Sequence, residues 1–392
     1  VRSLSESPDR GYLAARWERL NGPRRIHGVD LARGLAVLGM FAAHLLWITG
    51  QIDLSEPATW LVVVDGRSSI LFATLAGVSI GLVTGGRTPL RGEAATTVNL
   101  RLVVRACLLG VLGLVLIATG VPVYVILPAY AILFLLAIPL ARLGARALLT
   151  IAGVLAVVMP FVQVILDALP FWSTPVGSDL GLAVGWHYPF TTWIAFVVAG
   201  LGVARSGVTR LRVQWVLLGA GTALAAIAYG LDAATGADAR AEASSFAGAL
   251  WTSRPHSTGL LEVIGSGGFA LAVLGASLLV CRTVATYAVV PLRAVGAMPL
   301  TAYTLQLVVW AMVAGSVLGD TGDLRGFRDL QPFWPLTLGT IVFCTAWALL
   351  VGRGPLEAAV DRIARLVVRD PRPLPEEPPG DPAATGSVTR RR

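Results

Sequence analysis

The chain has 392 residues, 55% of them hydrophobic and only 14% charged, with a mean hydropathy of +0.72. A soluble domain carries about 25% charged residues, so a water-exposed globular enzyme is excluded. The formal charge of +8 comes entirely from arginine, since lysine is absent, and a lysine nucleophile or Schiff base is excluded with it.

Residues 1–26 are polar and arginine-rich and read as a cytoplasmic segment. Ten apolar stretches follow, near 31–49, 66–84, 102–119, 122–141, 147–168, 187–204, 213–231, 259–281, 295–318 and 332–351. Each has about the length that crosses a hydrocarbon core of roughly 30 Å. The first lacks a small-residue cleavage site and reads as a permanent span, not a removable signal. Connections alternate in charge. One set carries Arg24 and Arg25, Arg87 and Arg91, Arg142 and Arg146, Arg205 and Arg210, Arg282 and Arg293, then Arg353. The other is acidic or mixed, as at Asp53 and Glu56, Asp167 and Asp179, or Asp320 to Asp329. The positive-inside rule places the first set, and both termini, in the cytoplasm. The net charge is therefore topological, with no nucleic-acid partner implied. Residues 354–369 have the pattern of an amphipathic helix on the inner leaflet, and the Pro-rich stretch 370–392 that of a disordered tail. The expected architecture is an all-α integral membrane protein of about ten transmembrane helices, N-in/C-in. One transmembrane domain occupies 27–353.

Cys107, Cys281 and Cys344 lie in or near the inner half of spans without metal-ligand spacing, and read as packing residues. No metal is expected. No phosphate-cradling loop or H-E-x-x-H motif is present.

Ionisable residues within spans are functional candidates because burying them in lipid is costly. In the first span Asp30, Arg33, Val37, Met40 and His44 fall on one stripe. The eleven residues from Arg33 to His44 return to nearly the same direction and rise about 16 Å. A structural reading stands beside this one: an interfacial ion pair and a histidine bonding between helices. Asp65-Gly66-Arg67, Trp186-His187-Tyr188 and Pro255-His256-Ser257 each precede a span at the outer face, where free N–H groups attract negative charge. Glu262 follows inside the eighth span, then Gly265-Ser266-Gly267-Gly268, whose small side chains permit close helix contact or a break. Tyr303 and Gln306 share one face of the ninth span, just after Pro299, the other candidate break.

Asp30-x-x-Arg33-Gly34 with His44 eleven residues after the arginine resembles the first span of the membrane acyltransferase superfamily. That group includes the acyltransferase-3 proteins and the heparan-alpha-glucosaminide N-acetyltransferases. Asp65-Gly66-Arg67, Tyr188-Pro189, Pro255-His256-Ser257 with Glu262 to Gly265, Met298 to Gln306 and Gly354-Pro355-Leu356-Glu357 are similar to a bacterial, YeiB-like branch of the latter. The likeness runs from about residue 26 to 366. It implies transfer of an acyl group, acetyl above all, from cytoplasmic acyl-CoA to a hydroxyl or amine of an envelope glycan, lipid or small amino sugar, in the inner membrane of a cell. By that analogy His44 is the general base and Arg33 contacts the donor phosphates. The glucosaminide acetyltransferases carry a histidine in the loop after the first span, where this chain has Gln51-Ile52-Asp53-Leu54. A covalent acetyl-histidine at that point is impossible here, so His44 or His256 takes the part or transfer is direct.

The chemistry asks for a base of near-neutral pKa, which histidine supplies, oriented by a carboxylate as in a triad, and for donors to a thioester oxyanion. The candidate catalytic set is His44, His256, Asp65 and Glu262. The candidate donor-binding set is Asp30, Arg33, Arg67, Tyr303 and Gln306, and His187 and Tyr188 are the candidate acceptor contacts. Acyl-CoA is a co-substrate, with no tightly bound cofactor; the bilayer and the acceptor are the other partners, and a homodimer is open. The rival function is a small-solute transporter or a flippase for a lipid-linked substrate, with the same polar residues as its pathway.

Overall fold

The computed structural model describes residues 11–48 (Arg24 apart), 55–237 and 245–369. The expected tail at 370–392, positions 51–54 and residues 1–10 lie outside these. Every regular element among the described residues is helical. α1 (Tyr12–Asn21), α2 (His27–Leu45), α3 (Arg67–Val83), α4 (Gly92–Ile117) and α5 (Leu127–Ala137) come first. α6 (Ala145–Asp167), α7 (Pro175–Val184), α8 (Phe190–Ser206), α9 (Leu211–Thr235) and α10 (Phe246–Leu250) follow. The chain continues through α11 (Leu260–Val280), α12 (Ala285–Ala288), α13 (Val290–Ala297), α14 (Pro299–Val313), α15 (Leu324–Asp329), α16 (Phe333–Leu350) and α17 (Pro355–Val367).

Eight segments among the described residues are long and apolar enough to cross a membrane. Two shorter apolar helices, Leu127–Arg142 and Phe190–Ser206, fall at the fourth and sixth of the ten expected positions. The sixth is short because Pro189 precedes α8 and Gly207, at φ 94°, ends it. Nearly all of α8 is buried, packed against α3 and α6, so its length is set by protein contacts more than by lipid. α2 and α3 are the centre, with 72% and 61% of their spanning windows buried against 17% for α9. Helices α4, α6, α9 and α16 turn residues such as Val111, Ile165, Ile227 and Val342 outward, as lipid-facing helices do.

Small residues set the closest crossings. A Cβ on Gly77 would lie 1.9 Å from the Val197 carbonyl oxygen, and one on Gly200 would lie 1.9 Å from that of Thr74, so α3 and α8 meet backbone to backbone. Gly221 and Gly268 do the same between α9 and α11, the close-approach role of glycine in membrane helices. The break considered at Gly265–Gly268 is absent: α11 runs unbroken from Leu260 to Val280. The break at Pro299 is present, with Met298 at φ −138° between α13 and α14. The freed donors at the start of α14 are capped from the far end of the chain. Leu300 and Thr301 donate their N–H groups to Glu357 Oε1 at 2.8 and 3.1 Å, and the Thr301 hydroxyl donates to Oε2 at 2.6 Å. A carboxylate there satisfies orphan donors and faces the positive helix end.

Two of the arginines counted among the positive connections are buried braces. Arg205 is 3% exposed and donates to the carbonyls of Gly81, Gly86 and Ala141 at 2.7, 2.5 and 2.5 Å. Arg293 is buried and donates to Thr286 O and Leu20 O, both at 2.9 Å. Leu20 belongs to α1, so the N-terminal segment is not wholly solvated: Leu20 is buried, and Tyr12 donates its hydroxyl to Leu350 O at 2.5 Å. Of the cysteines, Cys344 is packed, Cys281 half-buried and Cys107 exposed on α4. The packing reading therefore fails for Cys107, which faces outward from its helix.

α17 is amphipathic, with Leu366 and Val367 exposed, and it is pinned to α4. Asp361 accepts from Arg105 at 2.6 Å, Arg353 at 2.8 Å and Arg365 at 2.9 Å. Burial pushes the Asp361 carboxyl up, but Arg353, Arg365 and Arg105 together outweigh it and hold it below its ordinary value. A depressed carboxyl stabilises the fold above its unfolded pKa, about 3.9, and that contribution is lost as pH falls through the lower folded value. Amide exchange over 355–367 should thus be insensitive to titration of this carboxyl between pH 8 and about pH 5, whereas Asp361→Asn should speed it across that range.

Candidate active site

The C-terminal end of α2 and the N-terminal ends of α3, α8 and α11 meet at one end of the bundle, and three of the four histidines gather there. His44 lies in the last turn of α2. Its Nδ1 is 3.4 Å from Gln306 Oε1 on α14. With the amide oxygen facing the ring, the two form a hydrogen bond in the tautomer that carries the proton on Nδ1, and that tautomer keeps the Nε2 lone pair free. Tyr303, one turn before Gln306, is buried, and its hydroxyl accepts from Ile126 N at 3.4 Å.

His256 sits on the connection before α11 with φ 62°, and Thr258 follows with φ 56°. Left-handed backbone at residues other than glycine is costly and persists only where surroundings enforce it. Glu262, in the first turn of α11, does so. Its Oε1 accepts from His256 N at 2.6 Å, and its Oε2 accepts from Thr258 N at 2.6 Å and from the Ser257 hydroxyl at 3.1 Å. Glu262 thus holds the backbone of this connection, so that of the two carboxylates considered for orienting an imidazole, Asp65 and Glu262, this one is occupied by the main chain. The carboxylate facing the His256 ring is that of Asp65, with Oδ1 3.7 Å from Nε2. Gly66, at φ 65°, lets the start of α3 turn beneath Pro255, whose Cβ would be 3.1 Å from any added side chain.

His187 and Tyr188, in the connection before α8, complete the cluster. The His187 ring stacks on Tyr124 at 3.8 Å and lies 4.6 Å from the His256 ring. Burial lowers the His187 pKa to about 4, helped by His256 and opposed by Asp65, so His187 is neutral at physiological pH. The Tyr188 hydroxyl donates to Tyr124 O at 3.2 Å. Together His44, Asp65, His187, Tyr188 and His256 line a chamber of about 150 Å³. A vestibule of about 770 Å³ adjoins it, sharing Tyr124, His187 and His256 and walled by Trp172, Trp186 and Asp167. Binding sites for small molecules span roughly 300–1,000 Å³, so the vestibule is large enough for an acceptor and the chamber only for the reacting groups.

The expected donor-binding set does not form one cluster. Asp30 and Arg33 lie at the opposite end of α2, about 16 Å of helix away. There Arg33 donates to Asp30 at 3.2 Å and to the Ser79 hydroxyl at 2.7 Å, while Arg25 donates to Asp30 at 2.7 Å. Arg67 is buried near the chamber end and is spent on the Tyr229 hydroxyl at 2.7 Å and Val62 O at 2.9 Å. Tyr303 and Gln306 sit at the His44 end as well. Between the two ends Val37 and Met40 are fully packed, and Met40 is also a wall of the chamber.

Four contributors were not singled out from sequence: Tyr124, Asp167, Trp172 and Arg328. Asp167 accepts from Gln163 and from the Trp186 indole N–H, both at 2.8 Å, and Trp186 stacks on Trp172 at 4.2 Å. The sequence signal was the aromatic density of 170–190, where the chain forms the unexpected short helix α7.

A family model described as heparan-alpha-glucosaminide N-acetyltransferase, catalytic, matches residues 25–229, just over half of the chain, from the foot of α2 into α9. A second, for proteins of unknown function (DUF418), matches residues 203–366 and takes in His256, Glu262, Gln306 and Glu357. No curated protein and no solved structure matches the chain. With its helices, its ordered motifs and both matches agreeing, the chain belongs to the membrane acyltransferase-related family of the heparan-alpha-glucosaminide N-acetyltransferases and their YeiB-like relatives.

Proposed function

We propose that the protein transfers an acyl group, acetyl in the first instance, from acyl-CoA to a hydroxyl or amine of a glycan, lipid or amino sugar. His44 is the general base of this reaction. The observation that carries the reading is the pairing of His44 Nδ1 with Gln306 Oε1 inside the chamber, which keeps Nε2 free to accept a proton. His44 Nε2 takes the proton of the acceptor O–H or N–H as the acceptor attacks the thioester carbonyl carbon. The C–S bond then breaks, and the departing CoA thiolate recovers the proton from the imidazolium. Asp65 and His256 form the second acid–base pair of the chamber, and the vestibule receives the acceptor. The protein resides in a cell's inner membrane with the Asp30–Arg33 end in the cytoplasm. The donor approaches there, and the flexible Met40 side chain yields to the acyl arm.

The transporter reading draws on the broken helix at Pro299, since such breaks expose backbone groups to solutes. Here Glu357 takes those groups, which favours a structural break.

The test uses purified protein in lipid nanodiscs with labelled acetyl-CoA and a panel of amino sugars, glycans and lipid acceptors. Acetylated product supports the reading, and its absence across the panel argues against it. CoA should also raise the unfolding temperature, because a ligand at 100 times its Kd stabilises by about 2.7 kcal/mol. Arg33→Ala should reduce that shift. A shift untouched by the substitution would remove Arg33 from the donor site.

A further inference from the structure

Arg328, on the short helix α15, reaches across to the end of α2. Its Nε donates to His44 O at 3.1 Å, and its Nη2 donates to His44 O at 2.9 Å and to Ala43 O at 3.4 Å. Helix C-termini leave their last carbonyls without partners, and cationic donors are favoured there. The guanidinium also lies over the Trp47 ring at 4.7 Å, a cation–π contact that fixes its plane. Arg328 is itself a wall of the chamber.

The support of Arg328 and the partner of the His44 ring have one source. Phe327 is buried and stacks on Trp310 at 4.4 Å. Trp310, on α14, is one turn beyond Gln306. α14 therefore grips the His44 imidazole directly through Gln306, and grips its backbone through Trp310, Phe327 and Arg328.

We propose that Arg328 is a positioning residue for His44, fixing the backbone of the last turn of α2 so that Nδ1 meets Gln306 and Nε2 faces the reacting acceptor. The proposal rests on His44 being the base, and it adds a device outside the acid–base pair. A fork-shaped donor suits this position because it serves two carbonyls at once; an ammonium does not reproduce that geometry.

The experiment compares wild-type protein with Arg328→Lys and Arg328→Ala in nanodiscs, in two independent measurements. The first is the ring-nitrogen NMR spectrum of histidine-labelled protein, which has only four histidines and needs no turnover. A Nδ1-protonated signal assigned through its disappearance in His44→Asn should be lost or exchange-broadened in Arg328→Ala. The second is acyl transfer. Misplacement by about 1 Å costs on the order of 10²-fold in rate, so kcat should fall by about that factor with the KM for acetyl-CoA unchanged. The acidic limb of the pH–rate profile, which reports deprotonation of the base, should shift, and free guanidinium should restore part of the rate. Thermal unfolding of Arg328→Lys serves as the folding control. An unchanged His44 signal together with an unchanged pH profile in a folded Arg328→Ala protein overturns the proposal. Absence of transfer by the wild type would instead overturn the proposed activity, and the NMR result would still decide the role of Arg328.

Discussion

If the proposed base is right, His44→Asn should lower acyl transfer by about 10²–10⁴-fold, the usual cost of removing a general base, while expression, thermal stability and CoA-dependent stabilisation should stay near wild type. Asparagine is close in size and retains a polar group for Gln306, so the packing of α2 against α14 is preserved. His256→Asn is the companion variant. Its ring faces Asp65 at 3.7 Å, and its Nδ1 is buried with no hydrogen-bonding partner among the described residues. With that nitrogen enclosed, His256 is less suited than His44 to accept a proton from an acceptor, and its variant should lose less. Stopped transfer in His256→Asn alongside near-normal transfer in His44→Asn would move the base to the connection before α11. Full activity in both would sink histidine base catalysis for this protein.

Arg205→Met is expected to be the most destabilising single change outside the chamber. The guanidinium satisfies the end of α3, the turn at Gly86 and, at Ala141, the short turn that follows α5, tying three parts of the bundle to α8. Each buried acceptor left without a donor costs about 1–3 kcal/mol, and several are orphaned together. A loss on the order of 3 kcal/mol or more follows, read as a lower unfolding temperature in detergent and a smaller folded yield. Arg205→Lys should recover only part of the loss, because one ammonium cannot span the same carbonyls. Wild-type stability of the methionine variant would show that these hydrogen bonds contribute nothing net.

What the sequence disclosed and what it concealed divide along physical lines. The stripe from Asp30 to His44 was legible because helical periodicity fixes which residues share a face. The histidine motifs were legible as a group because alternation of charge places all three at the same end of their spans. The close helix contact at Gly268 was legible from residue size, while its partner Gly221 was not. The meeting of His44 with Gln306 was not legible, since no periodicity relates positions 262 residues apart. The bracing contacts of Arg205 were not legible for a related reason: the positive-inside rule counts charges near span ends without asking what they touch. Glu262, like Asp65, looked from the sequence like a carboxylate that could orient an imidazole, because it lies near a histidine motif. Only the left-handed backbone at His256 and Thr258 reveals that its oxygens are occupied by the main chain.

The cap on α14 has a bearing on how the protein is made. The helix that supplies Gln306 is not completed by its own neighbours; it waits for Glu357, near the other end of the sequence. During translation, α2 emerges ahead of the segments that complete its surroundings, carrying Asp30 and His44 into the membrane before residues 306, 328 and 357 leave the ribosome. Over that interval the span holds an imidazole without its amide partner in a setting that penalises unpaired polar groups. The contact of His44 with Gln306 cannot be completed until these later segments are made. A nascent chain released before residue 357 should carry an inserted but unassembled α2, a natural substrate for membrane quality-control proteases.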